Sequence, residues 1–110
     1  MNYKIFQMKH SNKTRGIIFE NYETAKKEKP DLSIKDYDMV YSGKTELSVC
    51  SDSYALNELY NIFNIRHPKD FKGRSMSISD VVDLEGRLYY VDTFGFKRIN
   101  IDFKLIKKEN

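Results

Sequence analysis

Apolar residues recur with helical spacing over residues 53–64, the clearest periodicity in the chain. Positions i, i+3, i+4 and i+7 fall on one face of a helix. The apolar stripe consists of Leu56, Leu59, Tyr60 and Phe63. Asp52 or Ser53 can cap the start of this helix, and Pro68 prevents it from continuing far beyond its end. The pattern predicts one main amphipathic helix whose apolar stripe packs in the core.

Shorter runs of alternating apolar and polar residues predict the strands of an antiparallel sheet. The predicted strands are residues 3–8, 15–19, 38–41, 78–84, 87–92 and 98–103. Turn formers at 11–13 would join the first two strands as a hairpin, and Glu85-Gly86 would join the fourth and fifth. The serines at 75, 77 and 79 alternate with apolar residues, as on an amphipathic strand, and Gly95 predicts a bend or bulge.

Two shorter helical segments are also indicated. Asn21 can cap a helix over residues 22–29, which has to end before Pro30. Ser33 and Asp36 have the spacing of a capping box and predict a single helical turn. The elements together predict an α+β fold, in which a small antiparallel sheet carries one main helix, about residues 53–64, on one face.

The length of 110 residues predicts a single domain over 1–110, because such a chain can bury one core without disulfides or metals. Lys and Arg number 19 against 16 Asp and Glu, a formal net charge of +3. This balance excludes an acidic DNA mimic and does not require a nucleic-acid partner. Cys50 is the single cysteine and no apolar run is long enough to span a membrane, so we expect a cytoplasmic protein.

The sequence offers little for catalysis or metal binding. His10, His67 and Cys50 lack the spacing of metal ligands, and no motif frames a serine nucleophile or a phosphate-binding loop. Asp80 and Asp92 lie near the predicted hairpin and could share a proton in acid–base catalysis, although such carboxylates more often cap a turn or face solvent. We therefore expect no enzyme, no metal and no cofactor, and keep catalysis by these two carboxylates as a third alternative.

The segment 66–74, RHPKDFKGR, combines four basic residues with one phenylalanine, a proline and a glycine. Basic residues interleaved with an aromatic ring can bind nucleic-acid phosphates and bases. The same side chains can anchor a protein partner that has an acidic groove. In a third interpretation the loop is solvated and Phe71 packs into the core.

Residues 67–96, HPKDFKGRSMSISDVVDLEGRLYYVDTFGF, carry a long and specific signature. The pattern P-x-D-F-x-G-[H/R]-S-[L/M]-S-[V/I]-S-D-V-V matches residues 68–82, and Y-Y-V-D-[S/T]-F-G-F matches residues 89–96. These motifs resemble the YodL-like domain family. The segments YKIFQ, RGIIFENYETAKK and LSIKDYDMVYSG resemble it more loosely, so the likeness covers roughly residues 3–99.

The resemblance implies an origin in mobile genetic elements, plasmids and phages, of Gram-positive bacteria, where members often form part of larger proteins. It supplies no catalytic residues. Arg74 stands where the family more usually has histidine, so a catalytic imidazole at that position would be missing here. The resemblance therefore points to a family and not to a reaction.

From this context we expect a non-enzymatic counter-defence protein of a mobile genetic element. The most specific hypothesis is an anti-CRISPR inhibitor that binds a Cas9-type nuclease or its guide complex and occludes a surface needed for DNA or guide. The expected partner-binding residues are Arg66, Lys69, Phe71, Lys72, Arg74, Tyr90 and Phe96.

The alternative function is a nucleic-acid-binding accessory protein in the transfer or replication of a plasmid, phage or conjugative element. This hypothesis predicts direct contact with nucleic acid that weakens steeply with salt, through the four bases Arg66, Lys69, Lys72 and Arg74. An exposed strand edge would also permit a homodimer.

Overall fold

The computed structural model describes residues 1–46 and 51–99. In these ranges the strands are β1 (Asn2–Met8), β2 (Tyr37–Lys44), β3 (Val81–Leu84), β4 (Arg87–Val91) and β5 (Phe96–Arg98). The helices are α1 (Tyr22–Glu28) and α2 (Asp52–Ile65), with one turn of 3-10 helix at Ile34–Asp36. The predicted α+β class is confirmed. Neither of these α-helices has the length and apolarity that a membrane crossing requires.

The strands form one antiparallel sheet in the order β2-β1-β3-β4-β5. The N-terminal strand β1 is therefore an interior strand, paired with β2 on one side and β3 on the other. A register shift between Ile5 and Phe6 marks a bulge in the β1–β2 pair. Because β1 pairs with segments far along the chain, the sheet depends on non-local contacts that no local sequence pattern specifies.

The helix α2 packs on one face of the sheet, as predicted. The core on this face consists of Tyr3, Ile5, Ala55, Leu56, Leu59, Phe63, Phe71, Met76, Val82, Leu84 and Val91. The cap of α2 is Ser51, whose hydroxyl accepts from the N–H of Tyr54, and not Asp52 or Ser53. Asp52 instead accepts hydrogen bonds from Arg87 and from the Tyr89 hydroxyl, and so ties the start of α2 to β4.

The opposite face of the sheet is also covered, which the sequence did not predict. Its core consists of Phe6, Met8, Ile17, Ala25, Leu32, Tyr37, Val81, Leu88, Tyr90 and Ile99. Ala25 comes from α1, and Ile17 comes from the segment that joins β1 to α1. The sheet is thus buried on both sides because strand side chains alternate between two apolar layers.

Residues 15–19 do not form the predicted strand. The N–H groups of Ile17 and Ile18 both donate to the carbonyl of Thr14 at 2.9 Å, which closes consecutive turns. These turns place the buried side chain of Ile17 in the core on the sheet face opposite α2, here called the second core. The predicted first hairpin is wrong. The turn-forming residues that precede the apolar run hydrogen-bond to their own backbone, so the run folds into consecutive turns and not into a strand.

Residues 75–80 are irregular, with a turn at Ile78 and Ser79, and are not the start of β3. The N–H of Asp80 donates to the carbonyl of Ser77 (3.1 Å), and Asp80 Oδ2 accepts from the N–H of Ser77 (2.9 Å). Ser79 and Asp80 still bond to β4, because the N–H of Ser79 donates to the Val91 carbonyl (2.9 Å) and the N–H of Val91 donates to the Asp80 carbonyl (2.8 Å). The turn and the positive φ of Ser79 (87°) interrupt the extended backbone, so β3 begins only at Val81. The last strand is Phe96–Arg98, and residues 100–103 of the predicted strand lie outside the described residues.

Several local predictions are confirmed. Glu85 and Gly86 have φ of 52° and 88°, the two positive values that a type I′ hairpin turn requires. Ser33 and Asp36 form both hydrogen bonds of the capping box. Asn21 caps α1 by accepting from the N–H of Thr24 at 2.8 Å. These features could be predicted from the sequence because each one depends on residues only a few positions apart.

Candidate partner-binding surface

The candidate surface is the loop at residues 66–74 that follows α2, here called the 66–74 loop. The helix ends where the N–H of Arg66 donates to the carbonyl of Ile62 at 2.9 Å. Pro68 then prevents helical bonding, because its ring lacks an N–H and restricts the residue before it. The N–H of Phe71 donates to the Pro68 carbonyl at 3.1 Å, so the chain turns back toward the sheet.

Phe71 anchors the 66–74 loop in the core. Its side chain is 7% exposed, and its ring meets the ring of Phe63 edge-on at 4.9 Å. The rings of Tyr41 and His67 lie 6.3 Å and 5.3 Å away. Aromatic pairs of this kind add about 0.5–1.5 kcal/mol to the burial of apolar surface. Phe71, which we expected at the partner surface, therefore holds the loop in place from within.

The far end of the loop is clamped by Gln7 on β1. Gln7 Nε2 donates to the carbonyl of Arg74 at 2.8 Å, and Gln7 Oε1 accepts from the N–H of Arg74 at 3.1 Å. A Cβ at Gly73 would lie 2.4 Å from Gln7 Oε1. The loop backbone can approach the glutamine this closely because position 73 is glycine.

A buried carboxylate lies beneath this clamp. Asp80 is fully buried, and its Oδ2 accepts from Gln7 Nε2 and from the N–H of Ser77, both at 2.9 Å. Its Oδ1 lies 3.6 Å from Arg74 Nη2. Burial raises the pKa of Asp80 to about 7, against the opposing effect of these donors and of the guanidinium.

Arg74 is engaged on both sides of its guanidinium. One side faces Asp80, and the other lies 5.0 Å above the ring of Phe19. Phe19 has a φ of 70° and Ser79 a φ of 87°, values that residues with a side chain rarely adopt. The N–H of Phe19 donates to Ser79 Oγ at 3.1 Å, so the two strained residues support each other. Arg74 is thus part of a fixed network and presents a limited area to a partner.

Three bases remain free on the outer side of the loop. Arg66, Lys69 and Lys72 are exposed, and within residues 1–46 and 51–99 their side chains form no hydrogen bond or ion pair. Burial, and after it the charge of Asp70, raise the pKa of Tyr41. Asp70, the acidic residue of the loop, thus interacts with Tyr41 and leaves the three cations to solvent.

Tyr90 and Phe96 make their hydrogen-bond and ring contacts with residues outside the 66–74 loop. Tyr90 is fully buried, its hydroxyl donates to the carbonyl of Glu20 at 2.7 Å, and its ring lies 5.0 Å from Tyr22. Burial raises the pKa of Tyr90 above its ordinary range. Phe96 is half-buried, with its ring 6.3 Å from Tyr60 of α2. We therefore leave Tyr90 out of the candidate surface and keep Phe96 as an outlying part of it.

The two carboxylates that we considered for catalysis have separate partners. Asp80 accepts from Gln7 and Ser77, whereas Asp92 Oδ1 accepts from the N–H groups of Tyr22 (3.2 Å) and Thr93 (2.9 Å). Each one therefore satisfies a local turn or helix start. In the part of the chain that the structure describes, no three His, Cys, Asp or Glu side chains are placed to hold a metal ion.

Sequence reasoning missed the exposed apolar residues, of which Phe94 and Ile65 are the most exposed in the described part of the chain. Phe94 is 94% exposed at the tip of the β4–β5 hairpin, and Ile65 is 78% exposed at the last position of α2, next to the 66–74 loop. The sequence feature that indicates exposure of Phe94 is its place between Asp92-Thr93 and Gly95, which are turn formers. Ile65 falls outside the apolar stripe of α2, and its helical position was the signal that it would face solvent.

Comparison with known proteins places this architecture in one family. The sequence model of the YodL-like domain matches residues 2–103, which include every described strand and helix, the 66–74 loop and Asp80. No solved structure matches the chain.

Proposed function

The chain belongs to the YodL-like domain family, and from this membership and the 66–74 loop we propose that it is a non-enzymatic counter-defence protein that binds and inhibits a Cas9-type nuclease. The observation that carries the proposal is the presence of three exposed bases, Arg66, Lys69 and Lys72, on a loop that is fixed at two points. Phe71 fixes the loop in the core, and Gln7 fixes it at Arg74. A pre-ordered loop loses little conformational entropy on binding, which favours recognition by a rigid surface.

The proposed mechanism is occlusion. Arg66, Lys69 and Lys72 would meet acidic groups of the nuclease, and the exposed Ile65 beside them would fill an apolar contact. The bound domain then covers a surface that the nuclease needs for DNA or guide, in the cytoplasm where the nuclease acts. The occurrence of the family in mobile elements, which the resemblance implies, supports a counter-defence role.

A second candidate is a nucleic-acid-binding accessory protein of the element. The free cations Arg66, Lys69 and Lys72 favour it, because phosphate oxygens are ordinary partners of unpaired surface bases. The modest net charge of +3 argues against strong non-specific binding. Direct binding to single- or double-stranded DNA that disappears at moderate salt would favour this candidate over the first.

A cleavage assay tests the proposal. Purified protein is added to guide-loaded Cas9-type nucleases with target DNA, beside the triple variant R66E/K69E/K72E. The matched control K27E/K35E/K44E changes the same charge at exposed positions outside the loop. We expect the wild type and the control to inhibit near stoichiometry, and the loop variant to be weaker by about tenfold or more. Equal inhibition by the loop variant, or no inhibition of any nuclease in the panel, would overturn the proposal.

A further inference from the structure

A second candidate site lies on the segment between β1 and α1. We propose that the cavity here binds the phosphate group of a nucleotide. The cavity measures about 440 Å³, and its lining consists of His10, Ser11, Asn12, Thr14, Arg15 and Ile18. Ligand pockets for small molecules measure roughly 300–1,000 Å³, so a mononucleotide fits by size. The inference is independent of the proposed inhibitor function.

The wall of the cavity is a fixed turn. Thr14 is buried, and its hydroxyl donates to the carbonyl of Lys9. The N–H of Ser11 donates to Thr14 Oγ1 at 3.2 Å, and the N–H of Arg15 donates to the Ser11 carbonyl at 2.9 Å. The hydroxyls of Ser11 and Thr14 are 3.2 Å apart and bond each other. These two residues therefore shape the site and leave recognition to their neighbours.

The side chains available for recognition are cationic or polar. Residues 9–15, KHSNKTR, contain two lysines, one arginine and one histidine, and no carboxylate. Within the described residues, the side chains of His10, Asn12 and Arg15 have no hydrogen-bond or ion-pair partner. A phosphate dianion suits this set, because a guanidinium can hold two of its oxygens while an imidazole and an amide donate to others.

Ile18 supplies an apolar side to the same cavity. Its side chain is half-buried and packs against the second core, so its position is fixed. A free phosphate ion gains nothing from this surface, whereas the sugar or base of a nucleotide can cover it. The combination of the unpaired Arg15 guanidinium and polar side chains with a fixed apolar residue therefore favours a nucleotide over inorganic phosphate.

An NMR titration of the ¹⁵N-labelled protein tests the site with three probes: inorganic phosphate, AMP and a dodecathymidylate strand. We expect saturable shifts of the amides of residues 10–18, with AMP bound more tightly than phosphate. AMP bound more tightly than the strand identifies a free nucleotide. A strand bound more tightly at the same amides identifies the phosphates of a nucleic acid, and both results support the phosphate site.

Variants make the test specific. Arg15→Gln should weaken AMP binding by about tenfold, because it removes the guanidinium charge and its paired donors, and His10→Ala should weaken it by a smaller factor, because it removes the imidazole donor. Lys27→Gln on α1 is the control and should leave the affinity unchanged. All three positions are exposed, so the spectra of the free variants should match the wild type. Absence of saturable shifts at ~10 mM AMP, or equal affinity in Arg15→Gln, would overturn the inference.

Discussion

Gln7 Nε2 donates to Asp80 Oδ2 at 2.9 Å, although the two residues stand 73 positions apart in sequence. The same amide bonds both the N–H and the carbonyl of Arg74. One side chain of an interior strand therefore positions a buried carboxylate and the end of the 66–74 loop together. The loop conformation thus depends on β1, and a substitution in β1 should alter binding at the loop.

Replacement of Gln7 by leucine tests this dependence. The variant removes the hydrogen bonds to the N–H and the carbonyl of Arg74 and one of the two hydrogen bonds to Asp80 Oδ2, in a site that is buried or partly buried. We expect a loss of about 2–4 kcal/mol in the free energy of unfolding, measured by urea denaturation. Asn61→Leu on the exposed side of α2 is the control, with an expected change within about 0.5 kcal/mol. A loss in Gln7→Leu as small as in the control would contradict the role of the clamp.

Asp80 should make stability depend on pH. Burial raises its pKa from 3.8 to about 7 in the folded protein. The contribution of Asp80 to the free energy of unfolding is therefore fully present below pH 4. It is lost as the pH rises through 7, because the folded state then has to bury a charge. The difference between the folded and the ordinary pKa corresponds to a change on the order of 4 kcal/mol in the free energy of unfolding.

The measurement is urea unfolding of wild type and Asp80→Asn at pH 5 and pH 8. We expect the wild type to be less stable at pH 8 and the asparagine variant to lose most of this difference, since it cannot ionise. A wild type that gains stability between these two pH values, with Asp80→Asn behaving alike, would show that Asp80 is not the titrating group.

Two glycines give a matched test of the close approach at the loop. A Cβ at Gly73 would lie 2.4 Å from Gln7 Oε1, whereas a Cβ at Gly16 would meet nothing within 4 Å. Gly73→Ala should therefore destabilise the protein by about 1–3 kcal/mol, as overpacking does, and weaken partner binding. Gly16→Ala should stay within about 0.5 kcal/mol of the wild type. The measurement is thermal denaturation of both variants, and similar unfolding midpoints would contradict a tight contact at Gly73.

The strained backbone of Phe19 can be separated from its ring contact. Phe19→Ala and Phe19→Gly both remove the ring beneath Arg74, but only glycine accepts a φ of 70° without cost. At an ordinary position alanine is the more stable of the two. Here we expect the glycine variant to be more stable by about 1 kcal/mol, measured by denaturant unfolding. The opposite order would mean that the left-handed conformation at Phe19 carries no strain.

The elements that could be predicted from sequence have local causes. The helix α2 follows from its apolar stripe, the β3–β4 turn from Glu85-Gly86, and the 3-10 turn from the pair Ser33 and Asp36. The interior position of β1 could not be predicted, because its partners β2 and β3 are distant in sequence. The run at 15–19 does not form the predicted strand, since Ile17 is buried from a turn whereas Phe19 remains exposed.

The candidate site was predictable to a similar extent. The exposure of Arg66, Lys69 and Lys72 follows from their charge, and the burial of Phe71 was one of the interpretations of the segment. The clamp by Gln7 could not be foreseen, because a glutamine in an alternating strand predicts a solvent-facing side chain. It is buried instead, since Asp80 and the Arg74 backbone satisfy all its polar atoms.

The most direct test of the inhibitor proposal is co-elution of the purified protein with a guide-loaded Cas9-type nuclease in size-exclusion chromatography at moderate salt. We expect a stoichiometric complex for the wild type and for K27E/K35E/K44E, and separate elution of R66E/K69E/K72E. Separate elution of the wild type from every nuclease tested, or a complex that R66E/K69E/K72E forms equally well, would contradict inhibition through the 66–74 loop.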